Sequence, residues 1–166
     1  VTNHLFDFIK RLVEYEIDFV ICGGVACVLQ GCDRTTFDID INVPLKGENI
    51  HRLVELAKNI DLRPRNPEPL ENILKEENRI RWLEQKNALV YTLTDSTGLL
   101  QINIFLRYPI PWQELKSGAD SFEIDGIYFF VSSKRDLIYA KEQVFPLREK
   151  DRQDIQKLRE LLNNEE

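Results

Sequence analysis

Apolar residues at Leu5, Phe6, Phe8, Ile9, Leu12 and Val13 recur at helical spacing, which predicts an amphipathic opening helix. Phe19 to Cys22 is a short apolar run that stops at Gly23-Gly24, as a buried strand would. Val25 to Leu29 reads as a short helix ended near Gly31. Phe37 to Val43 then alternates apolar and polar residues, the period of a strand. Pro44 and Gly47 close that strand, and Ile50, Leu53, Val54 and Ala57 predict another helix. Three prolines between Arg63 and Pro69 mark a loop or a region boundary, and Leu70 to Gln85 is read as helical despite poor apolar spacing.

Two strands, Ala88 to Leu93 and Leu99 to Leu106, are joined through Asp95-Ser96-Thr97-Gly98, a hairpin-type connection. After Pro109 and Pro111 comes a short helix over Trp112 to Lys116. Phe122 to Ile124 and Ile127 to Val131 flank Asp125-Gly126, a strong two-residue hairpin pattern. Ser133 followed by Asp136 resembles a capping box, with Leu137, Ile138, Ala140 and Val144 continuing that helix as far as Pro146. Ile155, Leu158, Leu161 and Leu162 carry a last helix. This order predicts an α+β fold, a mixed sheet with helices packed against it. A single domain is expected over 1–166, with a core over 1–131 and closing helices over 132–166.

Composition narrows the class. The chain has 166 residues, 43% hydrophobic and 30% charged, enough to bury a core in one ordinary globular domain. No apolar stretch nears the roughly 20 residues a membrane helix needs, and Asp7 interrupts any secretory pattern at the N-terminus. The chain begins at Val1 and has no Met, as after removal of an initiator residue or tag. A cytoplasmic location without a membrane partner is the expectation. The formal net charge of -6 argues against sequence-blind nucleic-acid binding through a basic surface, while leaving room for a basic rim around an acidic metal site. Cys22, Cys27 and Cys32 form no CxxC pair and have no nearby His, since His4 and His51 stand alone, so they are read as small buried hydrophobes.

The chemistry concentrates between Gly23 and Asp40. On a strand, Asp38, Asp40 and Asn42 share one face while Phe37, Ile39 and Ile41 take the other. Two carboxylates about 7 Å apart along a strand repel unless a cation sits between them, and a magnesium ion suits that place. Taken alone, the pattern also describes a solvated strand face. The glycine pair adds weight, because Gly23-Gly24 lets a phosphate approach backbone amides at a helix start. Only one short helix separates the two pieces, so the turn can lie beside the acidic strand.

The stretch from Phe19 to Gly31, followed by Arg34-Thr-Thr-Phe-Asp-Ile-Asp40, resembles the signature of the polymerase-β-type nucleotidyltransferase superfamily. It is most similar there to the bacterial abortive-infection and type IV toxin nucleotidyltransferase group. The resemblance implies a strand, glycine-pair, helix and strand core with C-terminal helices. It implies that Gly23 and Gly24 hold a nucleoside triphosphate and that Asp38 and Asp40 bind Mg2+ or Mn2+. Lys141, Arg148, Lys150, Asp151 and Asp154 fit the group's helix-borne Lys and its basic-acidic stretch. The likeness covers both ends of the chain, and the middle third matches only in strand order.

One position departs from the pattern. Active members carry a third carboxylate on a following central strand, and its counterpart here is Asn103, with Gln101 on the same face. An amide ligates a metal but takes no proton. Either Asp151 or Asp154 then supplies the base, or activity is reduced or lost. Lys141, Arg34 and Arg148 are candidate phosphate contacts. Arg79, Arg81 and Trp82 read either as a patch for an RNA end or as a solvated helix face with one buried Trp. The expected activity is transfer of a nucleoside monophosphate from a triphosphate to a hydroxyl of an RNA end, a protein or a small molecule. The alternatives are a catalytically impaired nucleotide- or partner-binding module and a toxin held by a cognate antitoxin.

Overall fold

The computed structural model describes residues 3–166. Helix α1 (Asn3–Glu14) buries Leu5, Phe8, Ile9 and Leu12, the stripe that the opening periodicity predicts. Strand β1 (Val20–Cys22) runs straight into α2 (Gly23–Leu29), and β2 (Asp38–Asn42) follows. After α3 (Gly47–Asn59) come a two-residue strand β3 (Arg63–Pro64), a 3-10 turn (Leu70–Leu74) and α4 (Glu76–Gln85). Strands β4 (Val90–Thr94) and β5 (Gln101–Phe105), helix α5 (Trp112–Gly118) and the hairpin β6 (Asp120–Ile124) and β7 (Ile127–Val131) lead to α6 (Lys134–Glu142) and α7 (Glu149–Glu165).

The strands form one seven-stranded sheet in the order β3-β4-β5-β2-β1-β7-β6. It is mixed. β2 is antiparallel to β1 and parallel to β5, while β1 is parallel to β7. Both sequence-local hairpins are antiparallel, β4 with β5 and β6 with β7. The α+β architecture is therefore the one the pattern predicts.

The alternation along the central strands divides the sheet. Ile39, Ile41, Ile102, Ile104, Tyr91 and Leu93 are buried on one face, in the main core shared with α1, α2 and α3. The opposite face is split in character. Val20, Cys22, Ile110 and Leu115 form a small second core under α5, joined by Tyr108 and Phe130. Beyond it, Asp38, Asp40, Gln101, Asn103, Thr92 and Thr94 stay partly exposed. A polar window is thus left open on β2, β5 and β4.

Some boundaries differ from the sequence reading. The predicted loop at residues 63–69 contains β3, which pairs with β4 and forms the sheet edge. The single helix predicted over 70–85 is broken at Lys75, whose extended backbone caps α4. Helix α6 ends at Glu142, before Val144. Its start is as predicted: the Asp136 amide donates to the Ser133 hydroxyl at 3.1 Å.

Candidate active site

The glycine turn and the acidic strand meet. Cys22 faces Asp40 across the β1–β2 ladder, so the residue after Cys22 lies against the Asp40 side chain. Gly23 has φ +61, and a Cβ added there would stand 2.0 Å from Asp40 Oδ2. Backbone conformation and contact both demand glycine. The Gly24 backbone amide favours the ionised form of Asp40. A Cβ on Gly24 would come within 2.9 Å of Thr36 Oγ1 and 3.5 Å of the Arg34 guanidinium carbon, so Arg34 and Thr36 close over the turn.

Asp38 and Asp40 project from one face of β2, as the strand period requires. Asn103 on β5 is the direct partner of Asp40 in the parallel ladder. Its Nδ2 donates to Asp38 Oδ2 at 2.9 Å and to Asp40 Oδ1 at 2.8 Å. The Thr92 hydroxyl donates to Asn103 Oδ1 at 2.8 Å, which fixes the amide with its donors toward the carboxylates. Burial raises the pKa of Asp40, the Asn103 hydrogen bond opposes that rise, and the Asp38 charge adds to it.

A second group of charges stands behind the turn. Arg34 Nη1 donates to Asp154 Oδ2, and Lys141 Nζ reaches the same oxygen at 3.0 Å. Lys141 also lies 3.3 Å from Asp151 Oδ1, and Arg148 Nε reaches Asp151 Oδ2 at 2.6 Å. Lys141, Asp151 and Asp154 are 9%, 0% and 4% exposed, so these are enclosed ion pairs rather than surface ones. Burial works against the Lys141 charge, but the Asp154 and Asp151 carboxylates outweigh it and raise the ammonium pKa. Burial likewise opposes ionisation of Asp151, and the Arg148 hydrogen bond with the Lys141 charge overcomes it, lowering that pKa. Lys141 acts electrostatically on Asp40, and Asp40 on Arg148, which ties this network to the acidic pair.

Asp38, Asp40, Asn103, Gly23, Gly24 and Arg34 are therefore in one site, with Lys141 and Asp154 in the adjoining network. Asp154 is held by two cations in this arrangement, Arg34 and Lys141 sharing its Oδ2. Cys27 and Cys32 approach Asp154, their ligand atoms lying within 4.8 Å of one another. Burial pushes the Cys27 thiol up to about 12, so it stays protonated and apolar. Arg79 donates to the Ile73 and Leu45 carbonyls, Arg81 bonds Glu68, and Trp82 is buried against Tyr91. That arrangement fits the buried-Trp reading of α4. A cleft of about 780 Å3 lined by Pro44, Leu45, Arg79 and Trp112 shares no residue with the acidic site.

Thr92 and Arg65 were missed by the sequence reading. The observed ladder pairs Thr94 with Gln101 and so sets Thr92 opposite Asn103, whereas a turn confined to residues 95–98 would have set it opposite Gln101; Arg65 lies in the stretch read as a loop.

No protein-family model and no curated protein sequence matches the chain. Solved structures do. A lincomycin-bound crystal structure of the lincosamide antibiotic adenylyltransferase LnuA superposes with a TM-score of 0.63 at 14% identity, covering 97% of this chain and 98% of that one. ANT(2")-Ia in complex with adenylyl-2"-tobramycin gives 0.59 at 16% identity, covering 98% and 90%. An antigenic nucleotidyltransferase-like protein from Paracoccidioides brasiliensis gives 0.52 at 18% identity, covering 95% and 83%. The chain has the nucleotidyltransferase fold. At these identities the likeness is one of fold, and the nucleotidyltransferase fold here spans nearly the whole chain. Among the described residues, no helix is long and apolar enough to cross a membrane.

Proposed function

We propose that this chain is a metal-dependent nucleotidyltransferase that moves a nucleoside monophosphate from a triphosphate to a hydroxyl. The supporting observation is the contact between the glycine turn and Asp40, where any side chain at position 23 would strike Oδ2. A fold shared with two antibiotic-modifying nucleotidyltransferases agrees with that reading.

The donor set suits Mg2+ or Mn2+. Asp38 and Asp40 offer hard carboxylate oxygens on one face; Asn103 turns its amide nitrogen to them and its oxygen to Thr92, so in this arrangement it bridges the pair and adds no oxygen ligand. When bound, the ion neutralises phosphate charge and polarises the phosphoryl group. The chain's own residues do the rest. Gly23 and Gly24 leave room for phosphate oxygens against the backbone. Arg34, over that turn, and Lys141 behind it supply positive charge to the β and γ phosphates. Asp154 orients both cations. The acceptor oxygen forms its bond to the α-phosphorus as the bond to pyrophosphate breaks. Asn103 takes no proton, so the acceptor's proton leaves to solvent.

The abortive-infection and toxin likeness of the motif favours an RNA or protein acceptor and a cognate antitoxin, whereas the folds matched include enzymes with small-molecule antibiotic ligands. Incubation with each labelled triphosphate, Mg2+ or Mn2+, and cell extract is the direct test. Label transfer by the wild type and none by Asp38→Ala plus Asp40→Ala supports the reading; equal labelling by both sinks it.

Asn103 favours a second reading, a module that binds nucleotide with little turnover, because its amide bridges the carboxylates where a base would serve. Binding of Mg2+ and triphosphate without label transfer would favour that reading, most clearly if Asn103→Asp created activity.

A further inference from the structure

The face that carries Asp38 and Asp40 continues beyond β5. Asp38 pairs with Gln101, Gln101 with Thr94, and Thr94 with Arg63. In the next row Asp40 pairs with Asn103 and Asn103 with Thr92, whose carbonyl accepts from the Arg65 amide at 2.9 Å. Paired residues on neighbouring strands point to the same side. Two rows of polar side chains therefore run from the aspartates to a pair of exposed arginines at the sheet edge.

Arg65 reaches back along this row. Its Nη2 donates to Gln101 Oε1 at 2.6 Å, and Gln101 Nε2 lies 3.4 Å from Asp38 Oδ2. The two ends of an amide are under about 2.6 Å apart by its bond lengths, which keeps the guanidinium within about 9 Å of the Asp38 carboxylate. A neutral amide oxygen occupies one of the five guanidinium donors and leaves its charge unmatched. Arg63 meets Asp61 at 3.5 Å, with side chains 73% and 67% exposed, a pair that holds it weakly.

We propose that Arg65, supported by Arg63, is an anion subsite for the acceptor. The hydroxyl that receives the nucleotide belongs to a molecule bearing a phosphate or carboxylate about one sugar unit away. This rests on the nucleotidyl-transfer reading of the acidic site. The acceptor lies over β5 and β4 with its hydroxyl at Asp38 and Asp40. Thr92, Thr94 and Gln101 face its polar linking part, and its anion sits on the guanidinium fork, which matches such oxygens in pairs. The anion is held and not consumed. A polycationic acceptor would be repelled at this edge.

The test is a titration of the isotope-labelled chain, read at the Gln101 side-chain amide resonances, which the Arg65 variants retain, with ribose 5-phosphate, gluconate and neutral ribose as probes. Ribose 5-phosphate should bind saturably and ribose should not. Binding should weaken about tenfold or more in Arg65→Gln, as loss of a charge-assisted hydrogen bond gives, and further in Arg65→Glu. Gluconate binding as well would assign the subsite to anions in general; its failure would assign it to phosphate. Both arginines are exposed, so these variants should keep the wild-type unfolding temperature. Equal binding of ribose and ribose 5-phosphate, no binding of either anion, or unchanged affinity in Arg65→Gln would overturn the proposal. The same variants are titrated with Mg2+ and ATP. Unchanged ATP affinity in Arg65→Gln supports the subsite, whereas an equal loss would assign Arg65 to the donor phosphates and overturn it. Failure of the wild type to bind ATP would count against the transferase reading, separately from the sugar-phosphate result.

Discussion

Asn103 and Asp40 face each other directly across the β5–β2 ladder, and the Asn103 amide donates to Asp40 Oδ1 at 2.8 Å. The same amide nitrogen holds Asp38, so a single neutral group bridges two carboxylates that would otherwise repel.

Replacing that amide with a third carboxylate should expose the repulsion. Asn103→Asp is expected to unfold at a lower temperature than the wild type in chelator, and to regain the difference when Mg2+ is added. Thermal unfolding with and without Mg2+ measures both. A variant as stable as the wild type in chelator would contradict the bridging role.

Gly23→Ala should separate folding from binding. The left-handed backbone alone costs about 1–2 kcal/mol for an L side chain, and the methyl must push Asp40 aside. Metal that binds only the native state adds about 2.7 kcal/mol at a hundred times its Kd. That Mg2+-dependent gain should be present in the wild type and lost in Gly23→Ala.

Much of this arrangement is legible in the sequence because it is local. Alternation from Phe37 to Val43 fixes the shared face of Asp38 and Asp40, and the glycine pair fixes the turn beside it. The break at Lys75 is harder to read, since α4 has one buried residue, Trp82, and little apolar period to mark its start. β3 is hidden by Pro64 and the prolines that follow it; only pairing with β4 makes two residues a strand. Arg34 and Asp154 lie 120 positions apart, a contact that no periodicity reports. The family resemblance named both residues, and their pairing needed the packed helices α6 and α7.

The ion pairs should respond to acid in a definite direction. The folded pKa of Asp151 is depressed, so its contribution is present above its unfolded value, about 3.9, and is lost as pH falls through the lower folded value. Asp151→Asn should flatten this acid limb. At neutral pH it should cost about 3 kcal/mol by leaving Lys141 and Arg148 short of a partner, measured by denaturant unfolding.

Asp40 has the opposite sign. Its folded pKa is raised, so its relative stabilisation is complete below the unfolded pKa and disappears as pH rises through the folded value. Above that point the ionised side chain is a net cost. Asp40→Asn should therefore raise the neutral-pH unfolding temperature in chelator while removing Mg2+ binding. A lower unfolding temperature in chelator would contradict the assignment.

The most direct test is calorimetric titration of a non-hydrolysable nucleoside triphosphate into the wild type and into Asp38→Ala plus Asp40→Ala, each with Mg2+ and with chelator. The account predicts binding by the wild type only when Mg2+ is present, and none by the double variant. Binding that ignores both Mg2+ and the two aspartates, or no binding by the wild type under either condition, would contradict it.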